Sequence, residues 1–580
     1  MVATIRSPNA DRQDALGRVP YPPVRLSRYT FATGSGAATA NRNSLQAAVT
    51  KAIAARTWLV NDLPAGYYDL ALQGSVSPYY SLHTHCVDIG DGTIGFVFVG
   101  SRAAIFRLGP DQISGSTQHC YIFGGRNHKG FRFSGRYDGG SLQQSGWSGG
   151  YDQDFSGVVK LYATAAGWGN EDCVFDGGFI ENCFGNPISA GYNDAGDRRA
   201  SKSVTIRNFG FKRIGEGPQL QDTLRQRIHD CHIDNSDATM KGDFFEVARA
   251  QWFEVVRCTT YGARPVTPVG GAVDPGGSVA GVVKDCSFVG GTTGVDAGYS
   301  NGANVTVHLE NTTFVDMDSL VDVRENTLVT LKDCHVKDVG GVSVPSVRVG
   351  VAGNGGSSVR GATLVVDGGK FDGCGEIFVT QNATLKMVNR PVIINALADA
   401  IRCVGSASNT TKIPTLDLDV DVLYPAQHGL HVDGNGHSGY APRGRVRGTF
   451  QGATAGLAAG QQRRNFASSN VGSFGQLDID VTIPEAVQSY LNTFEFVGAK
   501  VSDDPDYDPG DYPAESNPLY RIGSKGQRVL FRGVAATKTF TNAAWWQLTT
   551  STFTLNTKSS ILMEHLGSGV WREVERWVMA

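Results

Sequence analysis

Four acidic residues sit at matching places in short apolar, β-branched runs: Phe245-Glu246, Val273-Asp274, Val295-Asp296 and Val321-Asp322. The same pattern continues as Val347-Arg348, Phe378-Val379, Ile401-Arg402 and Leu430-His431, and is preceded by Ile188-Ser189 and Leu220-Gln221. Strand alternation puts the second member of each pair on the outer face. If these strands stack on one another about 4.8 Å apart, carboxyls on adjacent layers lie about 5 Å apart and those two layers apart roughly 9–10 Å. The first distance suits a retaining glycosidase, and the second is at the edge of the inverting range. Crowded carboxylates repel, which costs stability. The same crowding raises some carboxyl pKa values, as a general acid requires. Glu246, Asp274, Asp296 and Asp322 are therefore candidate catalytic acids and bases. The alternative is a solvated acidic face with its charges screened. Arg348 would hold an acidic sugar or steady developing charge, and Trp252, Tyr261 and Tyr299 could stack on sugar rings. Proton abstraction beside a uronate carboxylate would instead put the weight on Arg348, Arg402 and His431.

The elements that must carry this column repeat along the chain. "FDGGF", "IRNFGF", "IHDCHI", "VVRCTT", "VKDCSF", "LENTTF", "LKDCHV" and "VDGGKF" share an apolar strand, an Asp or Asn, a small residue and another apolar residue. The polar position reads Asp176, Asn208, Asp230, Arg257, Asp285, Asn311, Asp333 and Asp367, in steps of 22 to 34 residues. Such steps, without helical periodicity and rich in Gly, Asn, Asp and β-branched residues, predict a parallel β-helix. A short polar side chain at this position can bond backbone N–H groups at a bend between strands. Cys231, Cys258, Cys286, Thr312 and Cys334 follow as a stacked column of small residues facing the interior.

Composition closes other routes. Glycine supplies 73 of 580 residues, well above the usual ~7%, and only 18% of residues are charged. The net charge is −3 and no Lys/Arg run occurs, so no nucleic-acid partner is expected. No apolar run is long enough for a membrane-spanning helix. The N-terminus lacks an apolar signal region, so synthesis in a cytoplasm without a signal peptide is expected. The ten cysteines form no C-x-x-C pair, and neither zinc binding through them nor disulfides are expected. His83 and His85 share one face of a strand, with a metal site not expected there. In "DDPDYDPGDYPAE", Asp504, Asp506, Asp508 and Glu515 have calcium-loop spacing. Pro509 stands where Gly belongs and no helix flanks the loop, so an acidic linker is the reading and no cofactor is expected.

"NRNSLQAAVTKAIAARTWLVNDLPAGYYDL" predicts an amphipathic helix opened by an Asn/Ser cap, with Leu45, Val49 and Ile53 on one face, then a strand. This helix, loop, strand and "PAGYY" resemble the start of pectate-lyase-like β-helix domains of bacteriophage tailspikes. The ending "GVWREVER" is similar to the ends of many tail fibre and tailspike chains. The resemblance implies an all-β chain: a right-handed, single-stranded parallel β-helix with an N-terminal capping helix and a C-terminal β-rich domain. The expected divisions are an arm over 1–40, capping helix and first strand over 41–70, β-helix over 71–450, a β-rich connection over 451–518 and a C-terminal domain over 519–580. It further implies a homotrimer in a virion tail, in contact with other tail proteins and with bacterial surface polysaccharide. The leading expectation is a depolymerase acting by carboxylate acid/base hydrolysis. A uronate lyase, a non-catalytic glycan-binding adhesin and a bacterial β-helix transglycosylase or epimerase are the alternatives.

Overall fold

The computed structural model describes residues 22–73, 83–112, 119–145, 156–163, 169–192, 201–236, 243–262, 271–274, 278–295, 305–324, 326–351, 361–380, 382–405, 413–433, 442–451, 464–468, 476–483, 494–496, 528–533, 538–542, 546–555, 559–567 and 570–578. Asp296, Tyr299, Asp504, Asp506, Asp508 and Glu515 lie outside the described residues. The chain falls into two compact units, residues 1–292 and 293–580.

Each unit is a parallel β-helix whose coil contributes three strands. In the first unit, Thr223–His229, His232–Asn235 and Phe245–Ala248 make one coil. Trp252–Val256, Thr259–Gly262 and Gly271–Asp274 make the next, each pairing in parallel with its counterpart. In the second unit, Val305–Glu310, Thr313–Met317 and Ser319–Arg324 pair in the same way with Thr327–Lys332, His335–Val339 and Val347–Val351. Apolar residues alternate inward. Ile228, Val255 and Val283 are fully buried in the first unit, as are Val307, Val329 and Leu364 in the second. Phe98, Phe123, Phe133 and Tyr137 form one interior aromatic stack, with ring centroids 4.8–6.4 Å apart.

The bend between the first and second strands explains the repeated Asp/Asn. Asp230, Arg257 and Asp285 in the first unit have φ of +54°, +53° and +54°; Asn311 and Asp333 in the second have +48° and +51°. These are left-handed conformations, which Asn and Asp tolerate better than other non-glycine residues. The expected capture of backbone N–H groups by their side chains is not what distinguishes them. Their own N–H groups continue the coil-to-coil ladder, as in Asp230 N to Val256 O and Asn311 N to Lys332 O, both 2.9 Å. The side chains make lateral rungs instead. Arg257 grips Asp230 through two bonds of 2.6 and 2.8 Å, and Asn389 Nδ2 donates to Asp367 Oδ1.

Beside the bend, each small residue points inward and donates back to a carbonyl. Cys258 Sγ reaches Ile228 O at 3.4 Å and Cys334 Sγ reaches Leu309 O at 3.5 Å, while Thr312 Oγ1 donates to Glu310 O at 3.0 Å. All ten cysteines are buried and free. Burial pushes the thiols of Cys334 and Cys374 up to about 11 and those of Cys120 and Cys173 up to about 12.

The helix runs Ala38–Ala54, starting before the expected cap, and no side chain caps its first turn. Asn41 lies inside it and ties it to its surroundings: its amide donates to Ala32 O and to Asp69 O. Gln46 donates to Asp88 O. Leu45, Ala48, Val49 and Ala52 are its buried face, and Ile53 is only half-buried. Residues 24–25, expected in the arm, already pair in parallel with 59–60. At the other end, parallel pairing runs beyond residue 450. Thr415–Leu423, Arg443–Gln451, Gln476–Ile483 and Arg528–Gly533 follow one another in one ladder. An antiparallel sheet then closes the chain, with Ser559–Gly567 between Arg528–Gly533 and Val570–Val578.

Two outcomes follow. Asn311→Ala should lower stability by about 1 kcal/mol, because alanine lacks the short polar side chain that lets asparagine tolerate the left-handed region, whereas Asn311→Gly should not; denaturant midpoints of both variants measure this. The ten thiols should resist a disulfide reagent at neutral pH in the native protein and all react after unfolding.

Candidate functional site

The outward column lies on the third strand of each coil, and parallel register fixes its members. In the first unit Lys160 pairs with Ser189, Ser189 with Gln219, Gln219 with Glu246 and Glu246 with Asp274. The expected alignment of Leu220-Gln221 with Phe245-Glu246 is two residues out, because Leu220 pairs with Val247. Glu246 is not on a solvated face: it is 8% exposed. Its carboxylate is held by the amides of both flanking glutamines. Gln219 Nε2 donates to Oε2 at 2.6 Å, and Gln221 Nε2 donates to Oε1. The chain of bonds extends outward. Ser189 Oγ meets Gln219 Oε1 at 2.7 Å, and Arg249 Nη2 bonds Gln221 Oε1 at 3.1 Å and Asp222 Oδ2 at 2.7 Å. A lone buried carboxylate costs several kcal/mol, and this network is what makes Glu246 tolerable there. Lys160, 2% exposed, lies with Nζ 5.5 and 5.9 Å from the Tyr121 and Tyr162 rings.

The expected aromatic partners do not share this face. Trp252 belongs to the first strand of its coil, is 37% exposed, and donates from Nε1 to Glu254. Tyr261 belongs to the second strand and is 55% exposed.

In the second unit the column reads Asp322, Arg348, Phe378, Arg402 and His431, each in register with the next. Phe378, not Val379, is the outward residue; Val379 is fully buried. Arg348 Nε lies 3.8 Å from Asp322 Oδ1, a loose pair. The Arg402 guanidinium sits 5.8 Å from the centre of the Phe378 ring. Its Nε is buried and meets no acceptor among the described residues. A guanidinium on an aromatic face with donors to spare is suited to a carboxylate.

Beside this column lie three groups that sequence reasoning missed. Asp399, 3% exposed, stands two residues before the strand Ile401–Val404. It receives His428 Nδ1 on Oδ1 at 2.6 Å and His431 Nδ1 on Oδ2 at 2.7 Å, and Oδ1 also accepts the His428 backbone N–H. Each ring therefore carries its proton on Nδ1, which makes Nε2 the basic nitrogen of the neutral imidazole. Burial works against the charge of Asp399. The hydrogen bonds and charge of His428 and His431 outweigh it and hold the carboxyl well below the usual range. Glu376, immediately before Ile377–Val379, behaves oppositely. Burial raises its pKa, and Asp399 adds to the rise while Arg402 and His431 oppose it. The two neighbouring carboxyls are thus pushed in opposite directions, Asp399 toward the charged form and Glu376 toward the protonated one. Asp399, His428 and His431 also offer one donor atom each within 4.8 Å of one another, a set that could hold a metal ion. His428 was findable beside His431 in "HGLH"; Asp399 and Glu376 sit at turns, outside any strand alternation.

No protein-family model matches the chain, and no curated protein matches it in sequence. Solved structures do resemble it. A variant of the tailspike protein of the E. coli bacteriophage HK620, in complex with hexasaccharide, aligns over 96% of this chain and 92% of its own at 12% identity, with a TM-score of 0.43. The A-module of Azotobacter vinelandii mannuronan C-5 epimerase AlgE4 aligns over 82% and 100% at 12% identity, TM-score 0.32. That of AlgE6 aligns over 82% and 98% at 14% identity, TM-score 0.30. All three are right-handed parallel β-helix proteins.

Proposed function

We propose that this chain is a depolymerase of an acidic polysaccharide of the bacterial surface, and that it cleaves by elimination beside a uronate carboxylate. One observation carries the reading: Arg402, whose guanidinium lies beside the Phe378 ring, stands one coil from His431, whose Nδ1 is held by buried Asp399. Arg402, with Arg348 two coils away, would bind the uronate carboxylate and neutralise the charge that builds on it. His431 Nε2 would take the proton from the carbon next to that carboxylate. Asp399 is a positioning residue that fixes the ring and stabilises its charged form, in the manner of the carboxylate of a catalytic triad. As the C–H electrons form the new C=C bond, the C–O bond to the leaving sugar breaks. Glu376, protonated more readily than an ordinary carboxyl, would supply the proton to that oxygen. Phe378 would pack against the sugar ring between the two arginines.

A second reading keeps the hydrolytic expectation. Glu246 is rigidly held and in register with Asp274, at a coil spacing of about 5 Å. That spacing favours a retaining hydrolase. The homotrimer, the virion-tail location and contacts with other tail proteins belong to the same proposal and rest on the resemblance of the chain ends to tailspikes.

The protein is incubated with uronate-containing capsular or exopolysaccharides and followed by ultraviolet absorbance and by new reducing ends. Elimination is expected to give both, hydrolysis only reducing ends, and epimerisation neither, with solvent deuterium entering the sugar. Binding with none of these would leave an adhesin. Arg402→Gln should cut kcat/KM by about 10²–10³ on the cleaved glycan. Unchanged turnover in that variant would contradict the assignment.

A further inference from the structure

We infer that Asp399, His428 and His431 form a binding site for one divalent transition-metal ion, with zinc the best match, and that the occupied site is catalytically silent. The inhibitory part rests on the role proposed above for His431; the binding part does not.

The cluster is built rather than incidental. Asp399 is 3% exposed, and the His428 and His431 side chains are 14% and 9% exposed. One atom from each residue lies within 4.8 Å of the other two. Each carboxylate oxygen faces one imidazole Nδ1, at 2.6 and 2.7 Å. Zinc–ligand bonds of about 2.0–2.2 Å put tetrahedral ligand atoms about 3.3 Å apart, so atoms now within 4.8 Å of one another converge on one ion by turning the two rings and the carboxylate toward a common point. The residues are also anchored. Asp399 leads into Ile401–Val404, which pairs with His428–Asp433 from Ile401–Leu430 to Val404–Asp433. Residues three apart on a strand normally face opposite ways. His428 opens its strand, and its backbone N–H bonds the same carboxylate oxygen, so both rings reach one acid.

The donor set selects the ion. Two imidazoles and one carboxylate favour zinc and its first-row neighbours over calcium or magnesium, which prefer all-oxygen shells. Three protein ligands leave an open position. Glu376 interacts electrostatically with Asp399 and His431, and its charge favours a cation beside them. Binding through Nδ1 displaces a proton from each ring and ties up His431. An imidazole held by metal on one nitrogen is a poor base on the other.

The full-length protein, stripped of metal, is titrated with zinc chloride by calorimetry and with cobalt(II) by visible spectroscopy, without glycan. One site per chain is expected, with a cobalt spectrum lacking thiolate charge-transfer bands. Asp399→Asn and His428→Gln should each weaken binding at least tenfold, while His335→Gln, at an exposed histidine elsewhere in the unit, should not. Absence of stoichiometric binding, a thiolate band, or equal affinity in all three variants would overturn the site. Near-ultraviolet circular dichroism checks that each variant is folded. If zinc binds as expected and glycan cleavage by the wild type continues undiminished, the inhibitory part fails. If no glycan is cleaved at all, the binding result still stands or falls alone.

Discussion

Everything in this chain depends on parallel pairing between successive coils. Each strand hydrogen-bonds its equivalent one turn away, so residues 21 to 50 positions apart in sequence become neighbours about 4.8 Å apart. Side chains at equivalent positions then have no choice of partner. An apolar column packs the interior, and a polar column must satisfy itself or present itself. The bends are where this constraint is most costly. The chain turns there through left-handed residues, and Asn, Asp and Gly recur because a Cβ-branched side chain would be strained.

The same register gives two buried carboxylates opposite tasks. Glu246 is held by two neutral amides, Asp399 by two imidazoles. Amide donors do not take up a proton or pass one on, and beyond them the Glu246 network runs to Arg249 and Asp222. Imidazole nitrogens, unlike amides, belong to the groups that serve in general acid–base chemistry. Arg402 and Phe378 lie in register with that second cluster, and the Arg402 guanidinium rests beside the Phe378 ring and acts electrostatically on Glu376.

The coil architecture was legible because its signal is repeated. Asp/Asn before a small residue, with apolar alternation on either side, marks many of the described bends, and Glu246 is in register with Asp274 and Asp322 with Arg348 as that repeat predicts. Register failed where alternation is degenerate. Gln219 and Gln221 flank Leu220 on the same outer face, so pattern alone does not say which one meets Glu246. Phe378 looks like a core residue but faces outward under Arg402, with Ile377 and Val379 filling the interior. Asp399 and Glu376 were invisible for a different reason. They sit on turns, where side-chain direction has no period, and their meaning comes from the histidines and arginine that the next coil brings to them. The helix start was misplaced because Asn41, a plausible cap by type, spends its amide on tertiary carbonyls instead.

The central claim is that the chemistry belongs to the His431 segment of the column and not to the Glu246 segment. Turnover of the cleaved glycan by His431→Asn and Glu246→Gln, side by side at fixed pH, tests this most directly. Loss of about 10²–10⁴ in rate for His431→Asn, with Glu246→Gln within a few-fold of wild type, is the expected result. A silent Glu246→Gln beside an active His431→Asn would contradict it and return the carboxylate column to the centre of the mechanism.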